Sequence, residues 1–199
     1  MATEREISVR ALTGAELDAA LPDLARLRIA VFRAFPYLYD GDEAYEAAYL
    51  REFAAAPHAA LIAALDGDMI VGAATASPLS AQKPEFQEPF ATRGINVTKT
   101  FYFGESVLLP DYRGRGIGHA FFDAREDAAR AAGATSSCFC AVIRAADHPQ
   151  RPADYRPLDG FWRARGYSPV EGFVTNFDWA EASSPEEIPH AMQYWMRAL

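Results

Sequence analysis

Arg113-Gly114-Arg115-Gly116-Ile117-Gly118 lies between an apolar, strand-like run (Phe101 to Leu109) and an amphipathic, helix-like run (His119 to Ala132). Alternate glycines at a strand-to-helix turn let the backbone approach a ligand and free several N–H groups to point at it. The first N–H groups of the helix that follows lack intrahelical partners and sit at the positive end of its dipole. Two arginines add mobile positive charge. Together these features predict a cradle for a pyrophosphate, and so a phosphorylated ligand.

Two familiar cradles are excluded. A dinucleotide turn needs G-x-G-x-x-G, and counting from Gly114 and Gly116 the last position is His119. A P-loop needs Gly-Lys-Ser/Thr at the start of the helix, and the chain has no such run. What remains is R-x-x-G-x-G, preceded by Leu108-Leu109-Pro110-Asp111-Tyr112. This stretch resembles the acyl-CoA-binding motif of the GNAT family of N-acetyltransferases, V-x-P-x-x-R-G-x-G-I-G. The match is close from Leu108 to Ala120, and weaker echoes run through most of the chain.

At 199 residues the chain suffices for one well-buried domain, and the expectation is a single domain over 1–199. Half the residues are hydrophobic, which is a globular composition. The net charge of −8 argues against general nucleic-acid binding and mildly favours amine substrates. No apolar stretch approaches bilayer length; the longest, Ala59 to Leu65, suits one buried strand. Met1-Ala2-Thr3-Glu4-Arg5-Glu6 is charged and lacks an apolar signal core. Cys138 and Cys140 are too close in sequence for an ordinary bridge, and they share a strand face as expected core residues. No metal-ligand spacing joins them to the four histidines. The expectation is a cytoplasmic protein that binds no metal, nucleic acid or membrane.

Along the chain, Ile7 to Leu12 reads as a strand, and Thr13 with Glu16 as a capping box opening a helical region to about Ala34. Pro22 is expected to begin a second helical turn there. Asp42 is predicted to cap another helix, with Tyr45, Tyr49 and Phe53 along one face. Ala59 to Leu65 and Met69 to Ser77 form a hairpin through Asp66-Gly67-Asp68. Pro78 to about Lys99 reads as a long loop, open to two readings: a substrate lid or a mobile surface insertion. After the glycine turn, Ala120, Phe121, Ala124, Ala128 and Ala131 fall roughly on one face of a predicted helix ended by Gly133. Ser137 to Ile143 follows as a strand parallel to Phe101–Leu109. A short helix (Asp159 to Arg165) and two strands (Phe173 to Trp179, about Ala191 to Met196) complete the order, which is similar to that of the GNAT family.

The resemblance implies an α+β, three-layer fold: a mixed, mostly antiparallel twisted sheet with one splayed parallel pair, flanked by helices. It implies acetyl-CoA as cosubstrate. The backbone of Val107, Leu108 and Leu109 would carry the pantetheine arm, and Arg113, Gly114, Arg115, Gly116, Ile117, Gly118, His119 and Ala120 the pyrophosphate. The reaction implied is N-acetyl transfer to a primary amine, on a small molecule or a peptide, by direct attack in a ternary complex. The attacking amine must lose its proton, and Glu105 is the candidate base. Strand alternation puts it on the face of Phe101, Phe103 and Val107, where desolvation would raise its pKa; a bulge would reverse the facing. The alternative is a strand-end Glu in water or paired with an arginine. The family often places a tyrosine general acid in L-Y-x-K-x-G-F. Here the stretch is Phe161-Trp162-Arg163-Ala164-Arg165-Gly166-Tyr167, with Trp162 in the tyrosine's place, so no general acid is assigned. Tyr155 and Tyr167 are the nearby tyrosines. Two rival readings stand beside transfer of acetyl groups: an acyl-CoA-binding module with little turnover, and a transferase for longer acyl donors. A homodimer through the last strands is permitted by Met192, Tyr194, Trp195 and Met196.

Overall fold

A computed structural model describes residues 7–182 and 184–199, with Glu85 and Pro185 by backbone only. The charged N-terminal run Met1 to Glu6 lies outside them. The elements in chain order are β1 (Ile7–Ala11), α1 (Gly14–Phe32), α2 (Glu43–Ala55), β2 (Ala60–Asp66), β3 (Met69–Pro78), α3 (Pro84–Ala91), β4 (Thr100–Leu108), α4 (Ile117–Ala131), β5 (Ser136–Val142), α5 (Asp159–Ala164), β6 (Ser168–Glu181) and β7 (Ser184–Ala198). They build one seven-stranded sheet in the order β1-β2-β3-β4-β5-β7-β6. Every neighbouring pair is antiparallel except β4–β5, as a strand–helix–strand crossover requires.

The helices cover both faces of the sheet. On one, Leu21, Leu24 and Leu27 of α1 and Leu50 of α2 bury against Leu61, Ala63, Ala73 and Val107. In a separate cluster, Phe90 of α3 meets Phe173 and Tyr194 edge-on. On the other face, Ile117 and Phe121 of α4 cover Ile62, Ala64, Val71 and Ala74. Phe122 and Ala129 join Phe101, Phe103, Phe139 and Trp195, with Phe161 and Trp162 of α5 packed alongside. A side chain at Gly72 would put its Cβ 2.7 Å from Leu108 Cδ1 and 3.1 Å from Phe121, so the glycine sets how closely α4 rides the sheet.

Several local expectations need correction. Thr13 precedes α1 but makes no side-chain cap; Glu16 pairs instead with Arg10 of β1. Pro22 lies inside one continuous helix and starts no second one. Asp42 does cap α2, accepting from the Tyr45 N–H at 2.8 Å. The segment 78–99 is neither a bare loop nor a loose insertion: it holds α3 and two short 3-10 turns, and Leu79 and Phe90 are fully buried. Its prolines masked the helix: Pro84 takes the first position, where proline is harmless, and Pro89 lies inside α3. The buried stripe of α4 contains Phe121, Phe122, Arg125, Glu126 and Ala129, whereas Ala131 is exposed. Strands β6 and β7 extend well beyond their apolar centres, since a hairpin pairs its polar ends too.

Two polar joints lock the layers. Glu126, buried on α4, accepts from Arg165 at 3.1 Å, Arg197 at 2.9 Å and the Tyr167 hydroxyl at 3.3 Å, tying α4 to α5 and β7. At the far end, Arg144 donates to the Pro36 and Tyr37 carbonyls and pairs with Glu181 at 2.8 Å. His190 stacks on Trp179 at 3.7 Å between ring centroids, and its Nε2–H donates to the Trp179 carbonyl. The Trp179 indole in turn donates to Tyr37. This clamp holds the α1–α2 connection against the β6–β7 hairpin.

Glu126→Ala should cost roughly 2–4 kcal/mol in urea unfolding, somewhat below a fully buried pair, because Arg165 keeps Asp123 at 2.7 Å. His190 gives a second test. Burial holds its imidazole below the ordinary value of 6.5, with nearby Arg144 acting the same way and Glu181 and Asp178 opposing. The folded state therefore binds fewer protons than the unfolded one in mild acid. The contribution is fully present above the unfolded value and is lost as pH falls through it. Wild-type stability should drop between pH 7.5 and 5.5, and His190→Gln should flatten that drop.

Candidate functional site

The centre of the site is a break in β4. Ala74 pairs with Ser106 and Ala76 with Phe103, so Thr75 on β3 stands opposite both Gly104 and Glu105. That two-for-one count is a β-bulge. Thr75 Oγ1 accepts the Glu105 N–H at 3.2 Å, and a Cβ on Gly104 would lie 2.5 Å from that oxygen, so only glycine fits there. Pairing of β4 with β5 stops at Tyr102–Cys138. Beyond it β4 runs on to Leu108 and β5 to Val142 without pairing to each other. A cleft thus opens between the two parallel strands, with backbone N–H and C=O groups along its wall.

The glycine turn stands at the mouth of that cleft. Gly114 (φ 75°) and Gly116 (φ 81°) both take the left-handed conformation, and a Cβ on either would meet nothing within 4 Å. Arg113 donates back to Pro110, and His119 and Ala120 donate to Gly116. The N–H groups of Gly114, Arg115, Gly116, Ile117 and Gly118 have no backbone acceptor among the described residues. They lie together at the N-terminus of α4, where the helix dipole favours an anionic group. The turn is steadied by Tyr112, whose hydroxyl donates to Asp66 at 2.8 Å and whose ring lies under Arg115. His119 stacks edge-on to Phe161 at 4.9 Å, so α5 borders the turn. Leu109 donates its N–H to the Val71 carbonyl at 3.0 Å, which ties the strand end to β3. Val107 and Leu108 stand opposite Ala73 and Gly72 on the wall itself.

The bulge also decides where Glu105 goes. Phe101 and Phe103 pack with Phe122 on the α4 side, whereas Val107 packs with Leu24 and Leu27 on the α1 side. Glu105 joins Val107 there and forms an ion pair with Arg28 of α1, so the predicted grouping of Glu105 with Phe101 and Phe103 is overturned. Arg28 also pairs with Glu46 of α2, which accepts from the Tyr39 hydroxyl at 2.6 Å. The guanidinium lies over the Tyr49 ring at 4.7 Å. Burial alone would lower Arg28, but Glu105, Tyr49 and Glu46 outweigh it and leave its pKa raised. One cation and two carboxylates therefore share a mostly buried compartment beside the cleft. Of the predicted aromatic face of α2, Tyr49 borders this compartment, Phe53 is core and Tyr45 is 64% exposed.

On the β5 side of the cleft, Cys140 lies 3.4 Å from the Tyr102 hydroxyl, and burial pushes its thiol up to about 12. Both cysteines are free and buried, as core residues. Trp162 packs on Phe139 and Trp195, each at 5.1 Å. Tyr167 is buried with its hydroxyl 2.7 Å from Ser137 Oγ, and burial raises its pKa. Tyr155 meets Phe35 edge-on at 4.7 Å. Among the described residues, no group of three or more His, Cys, Asp or Glu side chains is placed to hold a metal. No described helix is long and apolar enough to cross a membrane.

Arg28 and Glu46 were not singled out from sequence, although one signal was present. Arg28 falls four residues after Leu24 and four before Phe32, on the apolar stripe of α1. A charge on a stripe of that period has to find a partner inside.

Comparison with known proteins agrees with this geometry. A search among curated proteins gives no significant sequence match. Solved structures of the same fold include a ribosomal-protein-alanine N-acetyltransferase from Brucella melitensis, with TM-score 0.63, 13% identity, and coverage of 96% of this chain and 99% of that one. A GCN5-related N-acetyltransferase from Kribbella flavida gives TM-score 0.60 and 15% identity over 97% and 98% of the two chains. The Salmonella typhimurium protein yncA, whose structure holds its cofactor acetyl-CoA, gives TM-score 0.61 and 10% identity over 97% and 94%. At such identities the likeness is one of fold. The sequence model of the acetyltransferase (GNAT) family matches residues 24–152, from the middle of α1 through the cleft and glycine turn to the loop after β5. That span is most of the chain, and the protein belongs to the GNAT acetyltransferase family.

Proposed function

We propose that this chain transfers an acetyl group from acetyl-CoA to a primary amine by direct attack in a ternary complex. The carrying observation is the set of unpartnered N–H groups at the Gly114–Gly118 turn, at the mouth of the β4–β5 cleft. In this reading the pyrophosphate rests on that turn and on Arg113 and Arg115, with His119 and Ala120 bordering it. The pantetheine arm runs into the cleft along Val107 and Leu108. The thioester then lies at the bulge, beside the compartment of Arg28, Glu46 and Glu105.

The chemistry asked of the protein is modest. The cleft wall orients the thioester and aims backbone donors at the oxygen that becomes negative during attack. Glu105 takes the amine proton, directly or through water, while Arg28 holds its carboxylate in place. Departure of the CoA thiolate is left without an evident side-chain acid. An indole N–H gives up no proton at ordinary pH, and Trp162 is spent on packing. Tyr167 is engaged with Ser137 and Glu126. That arrangement favours a second reading, in which the chain binds acyl-CoA as a sensor or partner and turns over little.

Calorimetric titration with acetyl-CoA, free CoA and NAD tests the cofactor assignment; saturable binding of the CoA species alone is expected. A Cβ at position 116 meets nothing, so Gly116→Ala should strain the turn by about 1–2 kcal/mol and keep most binding. Gly116→Trp should fill the cradle and cost at least tenfold in affinity with the circular dichroism unchanged. For turnover, thiol release over an amine panel should fall about 10²-fold or more in Glu105→Gln, with acetyl-CoA affinity unchanged. Binding without thiol release from any amine would establish the sensor reading instead.

A further inference from the structure

Arg125 of α4 is 2% exposed, yet no carboxylate lies within ion-pair distance of it among the described residues. Its neighbour Glu126 is already taken by Arg165 and Arg197. The guanidinium is held between two phenylalanine rings, 4.5 Å from the centroid of Phe103 and 4.6 Å from that of Phe122. Burial lowers its pKa to about 10, still leaving it charged at neutral pH. A buried cation with no counter-ion costs several kcal/mol that an apolar residue would spare. The stripe of α4 offers an easy apolar alternative at this position, so packing gives no reason for the charge.

Its hydrogen bonds do give one. Nε donates to Phe121 in its own helix, and Nη1 donates to the carbonyl of Glu105 at 3.2 Å. Glu105 is the bulged residue, where β4 and β5 have already parted. Its N–H goes to Thr75, its side chain to Arg28, and its carbonyl to Arg125. Three different elements thus hold one residue. Without Arg125 the carbonyl would be free to turn, and the peptide linking Glu105 to Ser106 would turn with it. That peptide begins the stretch of cleft wall that runs to Val107 and Leu108.

We infer that Arg125 is a positioning residue for acyl-CoA binding: by holding the Glu105 carbonyl it sets the orientation of the β4 backbone groups that face the thioester. This role rests on the acetyl-CoA reading above. It also supplies a positive charge that, unlike that of Arg28, no described carboxylate pairs with, close to where the oxyanion and then the thiolate would form.

The test compares wild type, Arg125→Met and Arg125→Lys by acetyl-CoA calorimetry, thermal unfolding and the carbonyl chemical shift of Glu105. Methionine keeps the apolar stem between the two rings and removes both donors and charge. The expected result is a Tm equal to or above wild type, an acetyl-CoA affinity reduced at least tenfold, and a displaced Glu105 carbonyl signal. Arg125→Lys should recover most of the affinity and the signal. Unchanged acetyl-CoA binding in Arg125→Met would overturn the inference while leaving the cofactor assignment intact. So would a fall in Tm and affinity together with no recovery by lysine, since that marks a residue needed only for packing. Absence of acetyl-CoA binding in wild type would overturn both.

Discussion

The extra residue in β4 is the constraint on which the rest depends. A parallel pair such as β4–β5 would ordinarily continue its hydrogen bonds to the ends of both strands. Thr75 facing both Gly104 and Glu105 bends β4 and ends that pairing after Tyr102. The same kink turns Glu105 and Val107 toward α1 while Phe101 and Phe103 stay toward α4. A cleft with polar walls therefore opens in the middle of a sheet whose surroundings are close-packed. The cost is a set of backbone groups that the sheet itself cannot satisfy, which is tolerable where a ligand or a side chain takes them.

Buried charge is distributed to suit that break. Arg28 stands between Glu46 and Glu105 on one face, and Arg125 holds the Glu105 carbonyl from the other. Glu126, one residue further along α4, gathers Arg165 and Arg197. Adjacent positions on one helix thus serve opposite purposes. Glu126 is surrounded by partners that join layers, and Arg125 is denied a carboxylate and given a carbonyl. An ion pair at Arg125 would have neutralised a cation that no described carboxylate pairs with at the split.

The architecture was largely legible in the sequence because its signals were periodic or chemically narrow. Continuous apolar runs marked β2, β3 and β5, Asp42 marked the start of α2, and the spaced glycines marked the strand-to-helix turn. Failures came where two principles competed. Thr13 and Glu16 satisfied the capping pattern, but an arginine on the neighbouring strand gave Glu16 a stronger partner than a backbone N–H. Pro84 and Pro89 read as loop residues, yet the first opens α3, and Phe90 anchors it in the core. The site was legible only in its backbone part. Which face Glu105 takes depends on a one-residue slip that strand alternation cannot register, since Gly104 carries no side chain to reveal it. Its partner Arg28 lies far away in sequence, and only folding brings the two together.

Leaving-group chemistry is where this chain departs most from the family pattern it otherwise follows. Position 162, in α5, is where the family often has a phenol, and it holds an indole packed on Phe139 and Trp195. A thiol is a far stronger acid than water, so a thiolate can leave without being fully protonated if positive charge is near. The uncompensated Arg125 and the positive end of α4 both lie on the cleft side of the sheet. Electrostatic support of a departing thiolate would then take over work that a proton donor does elsewhere. Trp162, borne on α5, is spent instead on packing against the cluster around Phe139 and Trp195.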